Sequence, residues 1–339
     1  METLHKIYIN DARNMNCIED NSIDLIVTSP PYPMIEMWDE LFKNIDEGIS
    51  NAFEEGNGFL AFELMHRQLD VVWSECFRVL KEGSYLCINI GDATRTINNN
   101  FILYPNHARI INACINIGFY PLPDILWRKQ TNAPNKFMGS GMLPKGAYVT
   151  LEHEYILIFR KGTKKNYKSD AERKNRQESA YFWEERNVWF SDVWDFKGTS
   201  QKIGDSKSRD RSAAYPFELP YRIINMYSAK NDVVLDPFAG TGTTMIAAMA
   251  CGRNSISIEI DVNFKSIIES KVMEYENFIK EIYKKRLRNH IEFTKTMKNI
   301  KYKNLNYDFP VVTNQEVNLK FSELKFIEKI SENVYRAEY

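Results

Sequence analysis

None of the five cysteines (Cys17, Cys76, Cys87, Cys114 and Cys251) belongs to a Cys-x-x-Cys pair, and no histidine stands near one at ligand spacing. That predicts buried thiols in a reducing compartment and no metal site. No apolar run approaches the roughly 18 residues of a membrane span, and the N-terminal Met1 to Lys6 lack signal-peptide architecture. A soluble cytoplasmic protein with no membrane partner is expected. Excess charge is missing too. The 44 Lys and Arg stand against 45 Asp and Glu, a formal net charge of -1, so nucleic-acid contact would have to rest on a local patch.

What is present is a chain of 339 residues with 44% hydrophobic content, enough for one large α/β domain with an inserted or appended module. Residues 22–29 read as a strand buried on both faces, since Leu25, Ile26 and Val27 are consecutive. Pro30 lacks an N–H and cannot continue a ladder, so the chain leaves the sheet at Ser29. In Ser29-Pro30-Pro31-Tyr32, two fixed φ angles hold a hydroxyl, carbonyls and an aromatic ring in one rigid turn suited to gripping a flat polar group. Taken alone, the turn reads equally well as structural, with Tyr32 in the core.

Around it, residues 6–11 read as a strand ending in an acid, and with residues 22–29 suggest a βαβ unit. Leu69, Val72, Trp73, Cys76, Phe77 and Leu80 recur at helical spacing, with Gly83 as the C-terminal signal. Residues 84–92 follow as a strand, residues 106–117 as a helix, and residues 124–127 and 154–159 as two more strands. Glu152-His153-Glu154 is read as structural rather than metal-binding. The stretch from Arg160 to Arg176 then holds eight Lys or Arg against two acids, and Tyr181, Phe182, Trp183, Trp189, Phe190 and Trp194 follow it. Basic residues neutralise phosphates and aromatic rings stack on bases, which makes this segment the candidate nucleic-acid contact.

A second motif joins the strand at residues 232–236 to a helix. Asp236-Pro237-Phe238-Ala239-Gly240-Thr241-Gly242-Thr243-Thr244 has two glycines for a tight turn, and the helix N-terminus offers free N–H groups. A phosphate loop needs Gly-Lys-Ser/Thr, and a dinucleotide fingerprint needs a third glycine where Met245 stands. The next strand ends at Glu259, 17 residues beyond Gly242, near the distance at which such folds bind a ribose diol. A nucleoside with a cationic group beside Asp236 fits, which favours S-adenosylmethionine over NAD or ATP.

With both motifs in this order, the chain resembles the DNA amino-methyltransferases of the β group. In that family Ser/Asp-Pro-Pro-Tyr precedes a recognition region and then Asp-Pro-Phe-x-Gly-x-Gly. The resemblance spans roughly residues 5–275 and implies a circularly permuted Rossmann-like sheet of seven mostly parallel strands, with residues 124–127 and 154–159 as a reversed edge pair. It implies a catalytic domain at 1–159 and 213–275, a target-recognition segment at 160–212 and a C-terminal helix and extension at 276–339. Ser29, Pro30, Pro31 and Tyr32 would be catalytic. The cofactor would meet Asp11, Thr28, the loop from Asp236 to Thr244, and Glu259, Ile260 and Asp261, with Pro216 and Glu218 on its methionine side. The implied activity is methylation of a flipped-out cytosine at N4, with adenine N6 as the alternative, and a catalytically inactive DNA-binding or specificity protein as the reading from another class. The implied partners are double-stranded DNA and a cognate restriction endonuclease; the oligomeric state is open.

Overall fold

The computed structural model describes residues 1–129, 138–198 and 215–339. Among these, ten strands form one sheet: β1 (Glu2–Ile9), β2 (Ile23–Thr28), β3 (Leu80–Ile90), β4 (Phe119–Arg128), β5 (His153–Lys161), β6 (Val193–Asp195), β7 (Val233–Asp236), β8 (Asn254–Glu259), β9 (Phe326–Ser331) and β10 (Val334–Glu338). Their spatial order is β6-β4-β5-β3-β2-β7-β8-β1-β10-β9. From β3 to β1 all neighbours are parallel. Parallel neighbours require covering layers on both faces, and alternate residues of β2 show them. Ile26 packs with α1 (Gly58–Val79) and α2 (Asn106–Ile117). Leu25 and Val27 pack instead with α3 (Glu218–Tyr227) and α4 (Thr243–Cys251). All six residues of β2 are buried, as its apolar run requires.

Several sequence expectations are corrected. Residues 10–22, between β1 and β2, contain no helix, and β8 and β7 lie between the two strands, so they do not form a βαβ unit. α1 begins at Gly58, well before Leu69, because the Asn57 side chain caps it by accepting from the Leu60 N–H at 3.1 Å. Gly83 does not end that helix. It lies inside β3 with φ of 79°, where the β2 register jumps between Ile23 and Leu25. The expected reversed edge pair is only half reversed, since β5 runs against both β3 and β4. Nor does β4 form the edge, because β6 pairs beside it. The sheet exceeds seven strands because β6 adds to β4 at one edge and the C-terminal hairpin β9–β10 adds to β1 at the other. Residues 264–295 form two helices, α5 (Phe264–Glu274) and α6 (Glu276–Lys295), separated at Tyr275. Cys17 is exposed, whereas the other four cysteines are buried.

The basic–aromatic segment is divided by its surroundings. Trp189 and Trp194 pack on the sheet, and Phe182 packs with Phe309, Val311, Leu319 and Phe321 of the C-terminal extension. These three rings are core and cannot stack on bases. Arg286 of α6 is bound through Nε and Nη2 by Glu185 at 2.5 and 2.7 Å. The part of the segment at residues 199–212 lies outside the described residues.

Candidate active site

The two motifs meet at the carboxyl ends of β2 and β7, which are neighbours in the sheet and therefore open onto one crevice. Thr28 Oγ1 donates to Asp236 Oδ1 at 2.7 Å. The same carboxylate accepts from the Phe238 N–H at 3.1 Å, from Thr244 Oγ1 at 2.6 Å and from the Tyr215 hydroxyl at 3.1 Å. Burial pushes the Asp236 carboxyl up, and these four donors counter it. Asp236 thus fixes the loop to the end of β2, next to the Ser29–Tyr32 turn, in addition to lining the cavity.

The cavity holds about 330 Å³ and is lined by Asp11, Ser29, Pro30, Pro31, residues 236–241, Thr243, Glu259, Ile260 and Asp261, among others. Its size lies at the lower end of the range of small-molecule sites. Gly240 adopts φ of +50° with nothing within 4 Å of where a Cβ would stand, so its backbone faces open space. Glu259 Oε2 accepts from the Gly240 N–H at 2.8 Å and Oε1 from the Asp261 N–H at 3.0 Å. Each oxygen retains a lone pair for a hydroxyl, and burial pushes this carboxyl up. Burial also raises Asp11, but hydrogen bonds and charge from Arg13 outweigh it and hold Asp11 below the ordinary carboxylate range. Open backbone at a helix N-terminus together with a carboxylate of spare acceptor capacity fits a nucleoside cofactor.

Of the remaining expected residues, Pro216 and Glu218 do not line this cavity. Glu218 accepts from Arg222 at 2.6 Å, and Tyr215 takes the lining position instead. Thr28, Gly242 and Thr244 support the loop from behind. Gly242 has φ of +76°, and a Cβ there would meet Ile268 Cγ2 at 2.9 Å. Lys271 of α5 donates to Thr241 Oγ1 at 3.0 Å and Thr243 Oγ1 at 2.9 Å, and burial lowers it to about 8. A roof over the cavity comes from Met37, Trp38, Glu40, Leu41 and Ile45. Asp39 anchors that stretch through a bidentate pair with Arg95 at 2.6 and 2.8 Å.

Sequence reasoning missed the residues that orient the Ser29–Tyr32 turn. Asn106, buried at the start of α2, donates from Nδ2 to the Pro33 carbonyl at 3.1 Å and the Gly91 carbonyl at 2.9 Å. Gly91 matters for closeness, as a Cβ there would lie 3.1 Å from Tyr32 Cε2. The Tyr32 hydroxyl meets Ser29 Oγ at 3.2 Å, Asn89 Nδ2 at 2.8 Å and Glu154 Oε2 at 3.0 Å. Glu154, expected to be structural, is therefore part of this cluster. The Gly91-Asp92 pair directly after β3 was the one local signal for it.

Comparison with known proteins assigns the class. A family model described as DNA methylase matches residues 23–270, so the chain belongs to that family. More particularly, it is 52% identical over 341 residues to the type II methyltransferase M.MthZI of Methanothermobacter thermautotrophicus, covering 100% of this chain and 96% of that protein. It is 50% identical to M.MjaI of Methanocaldococcus jannaschii, over 80% of this chain and 91% of the other. Among solved structures, TTHA0409 of Thermus thermophilus, a putative DNA modification methylase complexed with S-adenosyl-L-methionine, superposes with a TM-score of 0.62 at 30% identity, covering 80% of this chain and 93% of that one.

Proposed function

We propose that the protein is a type II DNA modification enzyme that transfers a methyl group from S-adenosylmethionine to the N4 amine of a flipped-out cytosine. The observation that carries this is the Thr28–Asp236 hydrogen bond, which holds Ser29-Pro30-Pro31-Tyr32 against the loop lining the cavity. The type II methyltransferases among its relatives support a restriction–modification setting, with a cognate endonuclease as partner. Gly240, Glu259, Asp11 and the loop from Asp236 to Thr243 would hold the cofactor. When bound, it supplies the methyl group on a sulfonium: an N–C bond forms as the C–S bond breaks, a neutral thioether leaves, and the amine releases one proton to solvent.

The chain's own residues supply alignment. An exocyclic amine is a poor nucleophile because its lone pair is delocalised into the ring. Ser29 Oγ and the Pro30 carbonyl accept hydrogen bonds from its two N–H groups and draw the nitrogen toward tetrahedral geometry, so that the lone pair faces the methyl. Unstacking the base costs a few kcal/mol, and stacking on Tyr32, worth about 1–3 kcal/mol, offsets much of it. Serine at position 29, where relatives of the β group often carry aspartate, supports cytosine N4. Adenine N1/N6 presents the same acceptor–donor edge and is the alternative product. Transfer of labelled methyl groups to unmodified DNA by wild-type and Ser29→Ala enzyme tests the assignment: the variant should lose about 100-fold in kcat, and an unchanged rate contradicts it.

A further inference from the structure

The polar cluster behind the catalytic turn leaves little freedom in where each proton can sit. Asn89 Nδ2 is donor-only, and its contacts with Tyr32 Oη at 2.8 Å and Glu154 Oε2 at 2.6 Å are both donated. The opposite amide orientation would place Asn89 Oδ1 against the carboxylate. Glu154 Oε2 accepts from the Tyr32 hydroxyl at 3.0 Å, while the Lys129 ammonium contacts Oε1. Burial and the Glu154 charge push the Tyr32 hydroxyl well above its ordinary range, so it keeps the proton it donates. Tyr32 Oη has now given its hydrogen to Glu154 and one lone pair to Asn89. Toward Ser29 Oγ, 3.2 Å away, it can only accept. Ser29 must spend its single hydrogen on Tyr32, which leaves both of its lone pairs to whatever enters the cleft.

We infer that Glu154, held by Lys129 and Asn89, is a positioning residue that sets the direction of this hydrogen-bond chain and makes Ser29 a pure acceptor for the N–H of an exocyclic amine. A serine hydroxyl free to rotate can also donate, and in that state it would compete with the ring nitrogen for the amine's geometry. The chain running from Ser29 through Tyr32 to Glu154 removes that state. Its cost is visible nearby: Asn89 Oδ1 is buried without a hydrogen-bond partner among the described residues, and retaining such a group at a structural position would be unusual.

The inference rests on the amino-methylation reading, and the test separates the two. Wild type, Glu154→Gln, Tyr32→Phe and the double variant are compared for kcat on unmodified DNA, together with DNA affinity, cofactor affinity and thermal midpoint. In Glu154→Gln the Lys129 ammonium attracts the amide oxygen and turns the amide N–H toward Tyr32 and Asn89, so Asn89 must also turn its amide to avoid opposing donors, and the chain from Ser29 loses its fixed direction. The expected result is a loss of about 100-fold in kcat, with both affinities and the midpoint unchanged. Added to Tyr32→Phe, the same substitution should cause no further loss, because the relay atom is already gone. Lys129→Met combined with Glu154→Gln should recover about tenfold of the rate, since the amide is free to present its oxygen again. An unchanged kcat in Glu154→Gln, or an equal loss in the Tyr32→Phe background, overturns the inference. Wild-type enzyme that methylates no exocyclic amine overturns the amino-methylation reading, and this inference with it.

Discussion

Thr28 and Asp236, 208 residues apart in the chain, are joined by a 2.7 Å hydrogen bond at the ends of adjacent parallel strands. The carboxylate is buried, and each of its four donors offsets part of the desolvation of its charge. Thr28→Val keeps the shape and removes one donor. The expected loss is about 1–3 kcal/mol in unfolding free energy, read by denaturant titration, together with weaker cofactor binding by calorimetry.

The two glycines of the loop should fail in different ways. A Cβ at Gly242 meets Ile268 on the inner side, whereas a Cβ at Gly240 enters open space on the cavity side. Both have positive φ, which costs an L-residue roughly 1–2 kcal/mol. Gly242→Val should therefore lower stability by clearly more than that amount. Gly240→Val should lose only the backbone cost in stability but block cofactor binding. Paired melting and cofactor titrations distinguish the two.

Arg286 and Glu185 join α6 to the segment that follows the basic run, with both side chains largely buried and the guanidinium lying over Phe182, Trp189 and Phe321. Arg286→Met leaves Glu185 without its partner and should cost about 3–5 kcal/mol. Glu185→Gln combined with Arg286→Met should recover part of the loss, because no unpaired charge then remains. Urea denaturation of the single and double variants checks both.

Acid should destabilise the fold through two histidines. His5 and His66 are fully buried, and burial lowers each to about 3 from an ordinary 6.5. Both are neutral in the fold, so the unfolded chain binds more protons between these values. Their contribution is intact above pH 6.5 and is lost as pH falls toward 3. The slope is at most about 1.4 kcal/mol per pH unit for each histidine. Stability measured between pH 7 and 4 should fall less steeply in His5→Gln/His66→Gln than in wild type.

Elements governed by local backbone chemistry were readable from the sequence. The exit at Ser29 follows from Pro30, the buried β2 from its apolar run, and the glycine turn at Gly240 and Gly242 from its position between a strand and a helix. What escaped depends on partners distant in the chain. Glu154 lies 122 residues from Tyr32, and nothing beside it distinguishes it from any other acid on a strand. Trp189 and Phe182 suggested base stacking because aromatic rings look alike until their neighbours are known. The sheet and the C-terminal extension, which falls outside the family resemblance, bury them. Gly83 carried a genuine positive-φ signal, but a strand irregularity and a helix end call for the same residue.

The most direct measurement is the chemical identity of the product. Unmodified DNA is incubated with the protein and S-adenosylmethionine, digested to nucleosides and analysed by mass spectrometry against standards. N4-methylcytosine is the predicted product, absent when Ser29→Ala is used. N6-methyladenine would keep the amino-methylation chemistry and overturn the base assignment, whereas 5-methylcytosine alone, or no methylated base, would contradict the roles given to Ser29, Pro30 and Tyr32.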